Sequence, residues 1–213
     1  MDYLFFTEKS CSGYNGIEIF IADLEDFFRQ CGMGMHKDVL EENFDSKTKS
    51  TSIQQFELNC AHALSCLCDR LKLRIVCLQP LRDFEGIGHD DHLLQYSLSK
   101  AERYLRIAKA LGTNLLLVCS NNLAPFDPLS LPGTDYNHYR DCQVKALKAL
   151  GKRAAKFDIS IGYEPLAWGT VINTWQQVWD IVKCVDMDNV GVILDTFNSL
   201  YVLLKRETHF LLI

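Results

Sequence analysis

The sequence has no apolar stretch approaching the ~18 residues that a membrane-spanning helix requires, so no membrane partner is expected. It has no excess of positive charge: 22 Lys and Arg face 27 Asp and Glu, for a net charge of -5. That balance supplies no attraction for a phosphate backbone, which argues against nucleic acid as a partner. Residues 1–10 carry Asp2 and Glu8 and no run of basic residues, so they are not expected to be a secretory signal. Metal-binding cysteine pairs are also missing. Nine cysteines are present, an odd number, yet no Cys-x-x-Cys occurs, and Cys66 and Cys68 stand too close for zinc spacing. Several cysteines sit in apolar runs and read as small hydrophobes of a reduced, cytoplasmic chain. What remains is the composition of one globular domain over 1–213. It is 48% hydrophobic and 23% charged, long enough to bury a sizeable core.

Five short apolar runs read as buried strands: Gly16–Phe20 (GIEIF), 74–79 (RIVCLQ), Leu115–Cys119 (LLLVC), 159–164 (ISIGYE) and 191–195 (GVILD). Their apolar residues are adjacent rather than alternating, which suits strands covered on both faces. Helix-period segments lie between them. Phe56, Cys60, Leu64, Leu67 and Leu71 share one helical face, and Leu94, Leu98, Ala101, Leu105 and Ala108 share another, with Gly112 placed to end it. Residues 139–157 are rich in Ala and Lys, good helix formers despite Gly151. Trp175, Val178, Trp179 and Val182 repeat at three and four, with Asn173 or Thr174 as cap. Strand and helix therefore alternate, an α/β order that predicts parallel strands joined by right-handed crossovers. The polar stretch 46–52 (SKTKSTS) has no core-forming residue and reads as a mobile loop.

In a parallel barrel the active site gathers at the carboxyl ends of the strands. Those ends carry Gln79, Asn121, Glu164 and Asp195. Glu164 and Asp195, at the same end of neighbouring strands, can share a divalent metal; alternatively each caps the following helix or pairs with a lysine. Gln79 either hydrogen-bonds substrate or has a structural role, and Trp168 can wall a substrate pocket. Glu18 is expected inside the barrel as part of a core network, since a buried carboxylate needs a partner. His89-Asp90-Asp91-His92 follows the second of the five runs and reads more readily as a helix start capped by an aspartate than as a metal cluster. Trp175 and Trp179 are expected to pack helix against barrel, and Asn137-His138-Tyr139 to begin a helix.

GYNGIEIF followed by ADLEDF, then IVCLQP, YEPLAWGT, NTW and LDTFN, form an ordered set over residues 13–198. Together they resemble the fungal 3-dehydroshikimate dehydratases of quinate catabolism, within the xylose isomerase-like TIM barrel superfamily that includes endonuclease IV. The resemblance implies a (β/α)8 barrel, present here as an incomplete barrel of about strands two to six. It implies a lyase acting on a small-molecule substrate: 3-dehydroshikimate loses its proton alpha to the ketone, expels a beta hydroxyl and tautomerises to protocatechuate. It also implies a divalent metal, Mg2+, Mn2+ or Co2+, held in such enzymes by Glu, Asp, His and Glu from the last four strands. By position Glu164 matches the first ligand and Asp195 the second.

The tail 199–213 (SLYVLLKRETHFLLI) does not match the expected continuation, and His209 within it is not expected to be a ligand. A chain shortened at both ends, with impaired turnover, is therefore expected. A sugar or inositol isomerase or epimerase of the same superfamily, and a non-catalytic barrel fragment, are the competing readings. The sequence sets no oligomeric state.

Overall fold

The structure, a computed structural model, describes residues 12–41, 52–123, 128–130 and 135–208. These residues hold five strands in one sheet of order β1-β2-β3-β4-β5: β1 Gly16–Phe20, β2 Arg74–Leu81, β3 Leu115–Cys119, β4 Ser160–Glu164 and β5 Val190–Val192. The helices are α1 Ile21–Gly32, α2 Lys37–Glu41, α3 Ile53–Arg70, α4 Asp91–Ala110, α5 Tyr136–Ala155, α6 Trp175–Val185 and α7 Thr196–Thr208. All five expected strands are present, and the sheet is parallel, as the alternating order requires. Most of stretch 46–52 lies outside the described residues. Ser52, its last member, is the N-cap of α3, with its Oγ accepting from Gln55 N at 3.2 Å. His209 and the end of the tail also lie outside.

The chain divides into two compact units. One comprises Met1–Gln79 with Arg103–Leu116, the other Pro80–Glu102 with Leu117–Ile213. In the first unit β1 pairs with β2 in parallel register, Gly16 opposite Arg74. Gly16 is small for a reason: a Cβ there would lie 3.0 Å from Val76 Cγ2. Leu24, Phe27 and Phe28 of α1 are buried; on α3, Cys60, Leu64 and Leu67 of the predicted face are buried, with Phe56 and Leu71 at its ends half-buried. Arg103 binds Glu57 with two nitrogens, at 2.9 and 2.7 Å, and Glu25 with the third, at 2.8 Å, tying three helices. The chain leaves α4 through Gly112, at φ +75°, with Thr113 N bonded to Ala108 O and Gly112 N to Lys109 O. This paired bonding is the glycine-terminated helix end that Gly112 foretold.

In the second unit β4 pairs with β5, Ile161 opposite Val190. Gly151 stands inside α5 because the strand beyond leaves no room: a Cβ there would lie 2.8 Å from Val190 Cγ2. Thr174 and Gln177 form a reciprocal capping box at the start of α6. Val178, Ile181 and Val182 face the core, whereas Trp175 and Trp179 are 44% and 49% exposed. The expectation that these two tryptophans pack against the barrel is thus corrected. The α6 stripe is narrower than its repeat suggested, and the indole of Trp179 lies beside Lys183 Nζ at 5.9 Å. Eight cysteines fall among the described residues, all free; Cys184 is exposed, Cys66 half-buried and the others buried.

Gly88 marks the tightest contact in this unit. It lies in a 3-10 turn, Ile87–His89, pressed onto α5, and a Cβ there would fall 1.9 Å from Cys142 O. Gly88→Ala is therefore expected to cost about 3 kcal/mol of stability, read as a shifted urea midpoint at unchanged slope.

Candidate active site

The carboxyl ends of β3 and β4 and the start of α7 build one polar cluster in the second unit. Glu164 closes β4 and is buried. Asp195 lies beyond β5, which ends at Val192, so it opens α7 rather than closing the strand. Its Oδ1 accepts from Phe197 N at 2.8 Å, a helix cap. Its Oδ2 does something else. Asn198 Nδ2 donates to Asp195 Oδ2 at 2.7 Å and to Glu164 Oε1 at 3.2 Å. Both readings of Asp195, as helix cap and as neighbour of Glu164, are therefore realised by different oxygens of one carboxylate.

Asn198 is buried, and its Oδ1 accepts from Ala167 N at 2.9 Å. The fourth member of the cluster is Cys119 at the end of β3, whose Sγ donates to Glu164 Oε2 at 3.8 Å. The end of β4 and the loop after it are sewn to Ser120 and Asn121, the residues that follow β3. Ser120 N donates to Glu164 O at 3.0 Å, Leu166 N to Ser120 Oγ at 2.8 Å, and Thr170 N to Asn121 O at 2.9 Å. Trp168 stands on this loop with its indole half exposed. Gly169 beside it admits no side chain, since a Cβ would lie 2.2 Å from Ile172 O.

Gln79 belongs to the first unit, where its Nε2 donates to Glu18 Oε2. Glu18 is exposed, which corrects its expected place in the core: an irregularity in register between Ile17 and Glu18 falls at this point of β1. In the second unit, His89-Asp90-Asp91-His92 is a helix start. Asp90 Oδ1 accepts from His92 N and Leu93 N at 2.8 and 3.0 Å, and those bonds hold the Asp90 carboxyl below its ordinary range. Asp135 likewise caps α5, with its Oδ1 accepting from His138 N.

Sequence reasoning did not single out Asn198, Cys119, Glu85 or Tyr163. For Asn198 a signal existed: it stands three residues after Asp195, one turn along a helix, inside LDTFN. Glu85 gave none, because RDFEG reads as a solvated turn. The fold buries it. Its Oε1 accepts the Tyr163 hydroxyl at 2.8 Å and its Oε2 accepts Asn121 N. Burial pushes its carboxyl up to about 7, against the pull of those two bonds, and the same burial with Glu85 nearby raises the Tyr163 hydroxyl.

The sequence profile of the xylose isomerase-like TIM barrel family matches residues 9–207. The chain belongs to this family. Within it, the chain is 43% identical over 134 residues to a 3-dehydroshikimate dehydratase of Pseudomonas aeruginosa, covering 63% of this chain and 19% of that protein. It is 29% identical over 193 residues to the 3-dehydroshikimate dehydratase of Neurospora crassa, covering 88% and 47%. The chain thus spans under half the length of these relatives. Among solved structures, a xylose isomerase-like TIM barrel/4-hydroxyphenylpyruvate dioxygenase fusion protein superposes with TM-score 0.65 at 33% identity, covering 92% of this chain and 25% of that one. The IOLI protein, solved with a binding zinc atom, superposes with TM-score 0.63 at 18% identity over 92% of this chain and 57% of that one, a likeness of fold. Among the described residues no helix is long and apolar enough to cross a membrane.

Two outcomes follow from this geometry. Asn198→Ala leaves Ala167 N without its acceptor and Glu164 facing Asp195 unbridged, so a loss of about 2 kcal/mol is expected in chemical denaturation. For Glu85, below its unfolded value of 4.5 both states hold the proton. Between 4.5 and about 7 only the folded state holds it, so stability falls as pH rises through that window and levels off above it. The drop attributable to Glu85 is about 3 kcal/mol, measured as the difference between the chain and Glu85→Gln in urea melts across that window.

Proposed function

We propose that this barrel dehydrates 3-dehydroshikimate to protocatechuate in the cytoplasm, as part of quinate and shikimate catabolism, with a divalent metal held at Glu164 and Asp195. The observation that carries the reading is the meeting of Glu164 Oε1 and Asp195 Oδ2 on one amide nitrogen, within hydrogen-bond distance of each. The relatives named for this activity support it over 63% and 88% of the chain.

The donor set fits a hard cation. Two carboxylates suit Mg2+, Mn2+ or Co2+, and a cation bound to Glu164 Oε1 and Asp195 Oδ2 would take the place that Asn198 Nδ2 holds between them. Among the described residues no third His, Cys, Asp or Glu completes a ligand group with them; slow turnover of this chain is part of the proposal. Bound there, a divalent ion supplies positive charge against the negative charge that builds on the ketone oxygen as the alpha proton leaves. The chain's own residues set the stage for that event. Asn198 holds the two carboxylates against their mutual repulsion. It also fixes Ala167, and with it the loop on which Trp168 walls the substrate.

Incubation with 3-dehydroshikimate and Mn2+, Co2+ or Mg2+ tests the reading, with protocatechuate followed by its absorbance. Slow, metal-dependent formation is expected, falling at least about tenfold in Glu164→Gln and in Asp195→Asn. Calorimetric titration of Mn2+ should show the same loss of affinity in both variants. Formation untouched by chelation, or no product at saturating Mn2+, overturns it.

A further inference from the structure

The bridge between Glu164 and Asp195 is a primary amide, a group whose two ends are nearly equal in size and opposite in character. Asn198 is 3% exposed. Its Nδ2 donates to Asp195 Oδ2 at 2.7 Å and to Glu164 Oε1 at 3.2 Å, and its Oδ1 accepts from Ala167 N at 2.9 Å. Each end therefore meets its complement, acceptors on the nitrogen side and a donor on the oxygen side. Turned over, the amide would set its oxygen against two carboxylates and its nitrogen against an N–H. Without a cation the observed orientation is therefore the stable one.

A cation reverses that preference. An ion shared by Glu164 and Asp195 engages the same oxygens that Nδ2 holds, and its charge repels the amide hydrogens. An amide oxygen, in contrast, is a good ligand for a hard cation. The distances suit the exchange. Neighbouring oxygens set about 2.1 Å from Mg2+ in octahedral geometry stand about 3 Å apart. Nδ2 stands 2.7 and 3.2 Å from the two carboxylate oxygens, so an oxygen brought to its side of the amide is spaced as a third ligand. The backbone need not move, because the exchange is a rotation about one side-chain bond.

On the reading that Glu164 and Asp195 hold a divalent metal, we propose that Asn198 is a third ligand held in reserve: cation binding turns its amide, Oδ1 joins Glu164 Oε1 and Asp195 Oδ2 on the ion, and the Trp168 loop is released from α7. The release follows from the far end of the amide. Once turned, it presents nitrogen to Ala167 N, which loses its acceptor. Ala167 is 4% exposed and precedes Trp168, in the loop that Ser120 and Asn121 hold at Leu166 and Thr170. Its bond to Asn198 ties that loop to α7. Metal uptake and the freeing of the loop are thus one event, and no proton is transferred.

Calorimetry and hydrogen exchange with Mn2+, in the absence of substrate, test it. Mn2+ is expected to speed exchange in a peptide covering 166–171 at least about twofold, the opposite of the protection a bound ligand usually gives. Asn198→Asp offers two oxygens, one for the ion and one for Ala167 N. It is expected to bind Mn2+ at least about tenfold more tightly, with no such acceleration. Asn198→Ala removes the ligand and is expected to bind at least about threefold more weakly. If the amide merely competed with the ion, alanine would instead bind more tightly. Mn2+ uptake with equal or tighter binding by Asn198→Ala, or with exchange over 166–171 unchanged or slowed, overturns the proposal and leaves the metal reading standing. Should Asn198→Ala fail to fold, exchange in the unaltered chain and in Asn198→Asp decides: acceleration in both, or in neither, overturns it. A chain that takes up no Mn2+ overturns this proposal and the metal reading together.

Discussion

Two carboxylates placed side by side repel, and the Asn198 amide is what makes the nearness of buried Glu164 and half-buried Asp195 tolerable. It gives Nδ2 to both acids and takes Ala167 N on its oxygen. Four features meet on that group: the end of β4, the start of α7, the loop bearing Trp168 and, through Glu164, the thiol of Cys119 on β3. Asp195 can cap α7 and face Glu164 at once only because a carboxylate has two oxygens. Helix start and candidate metal site are therefore the same structural fact viewed from two sides.

Around that centre, the second unit controls distances with small residues. Gly151 lets β5 approach α5, Gly169 lets the Trp168 loop fold against Ser120, and Gly88 lets the turn after β2 lie on the backbone of α5. Each is a site where any Cβ meets an atom that cannot move aside cheaply. Of the three only Gly88 lies in the β2–α4 loop, the segment in which Glu85 is buried.

Much of this was legible beforehand. Five runs of adjacent apolar residues became five strands because burial on both faces leaves no room for polar alternation. The cap at Thr174, the stop at Gly112 and the aspartate at Asp90 followed from local bonding that needs no tertiary context. Glu164 was legible as a polar residue ending a strand. Other features were not readable, because they depend on partners remote in sequence. Glu85 looked like surface until residues 121 and 163 closed over it. Glu18 looked like core, but its side chain lies in the open, bonded to Gln79. Trp175 and Trp179 matched the helical repeat, but an apolar repeat wider than the buried stripe leaves its margin in solvent.

The distribution of thiols gives the molecule a built-in clock for its own opening. A small sulfhydryl reagent would find Cys184 at once and Cys66 more slowly, while the remaining described cysteines are shielded by packing. Cys31, Cys60, Cys68 and Cys77 belong to the first unit, and Cys119 and Cys142 to the second. The order in which these sulfurs acquire adducts, mapped by mass, would therefore tell which half of the sheet loosens first and whether the halves part company before the chain unravels as a whole.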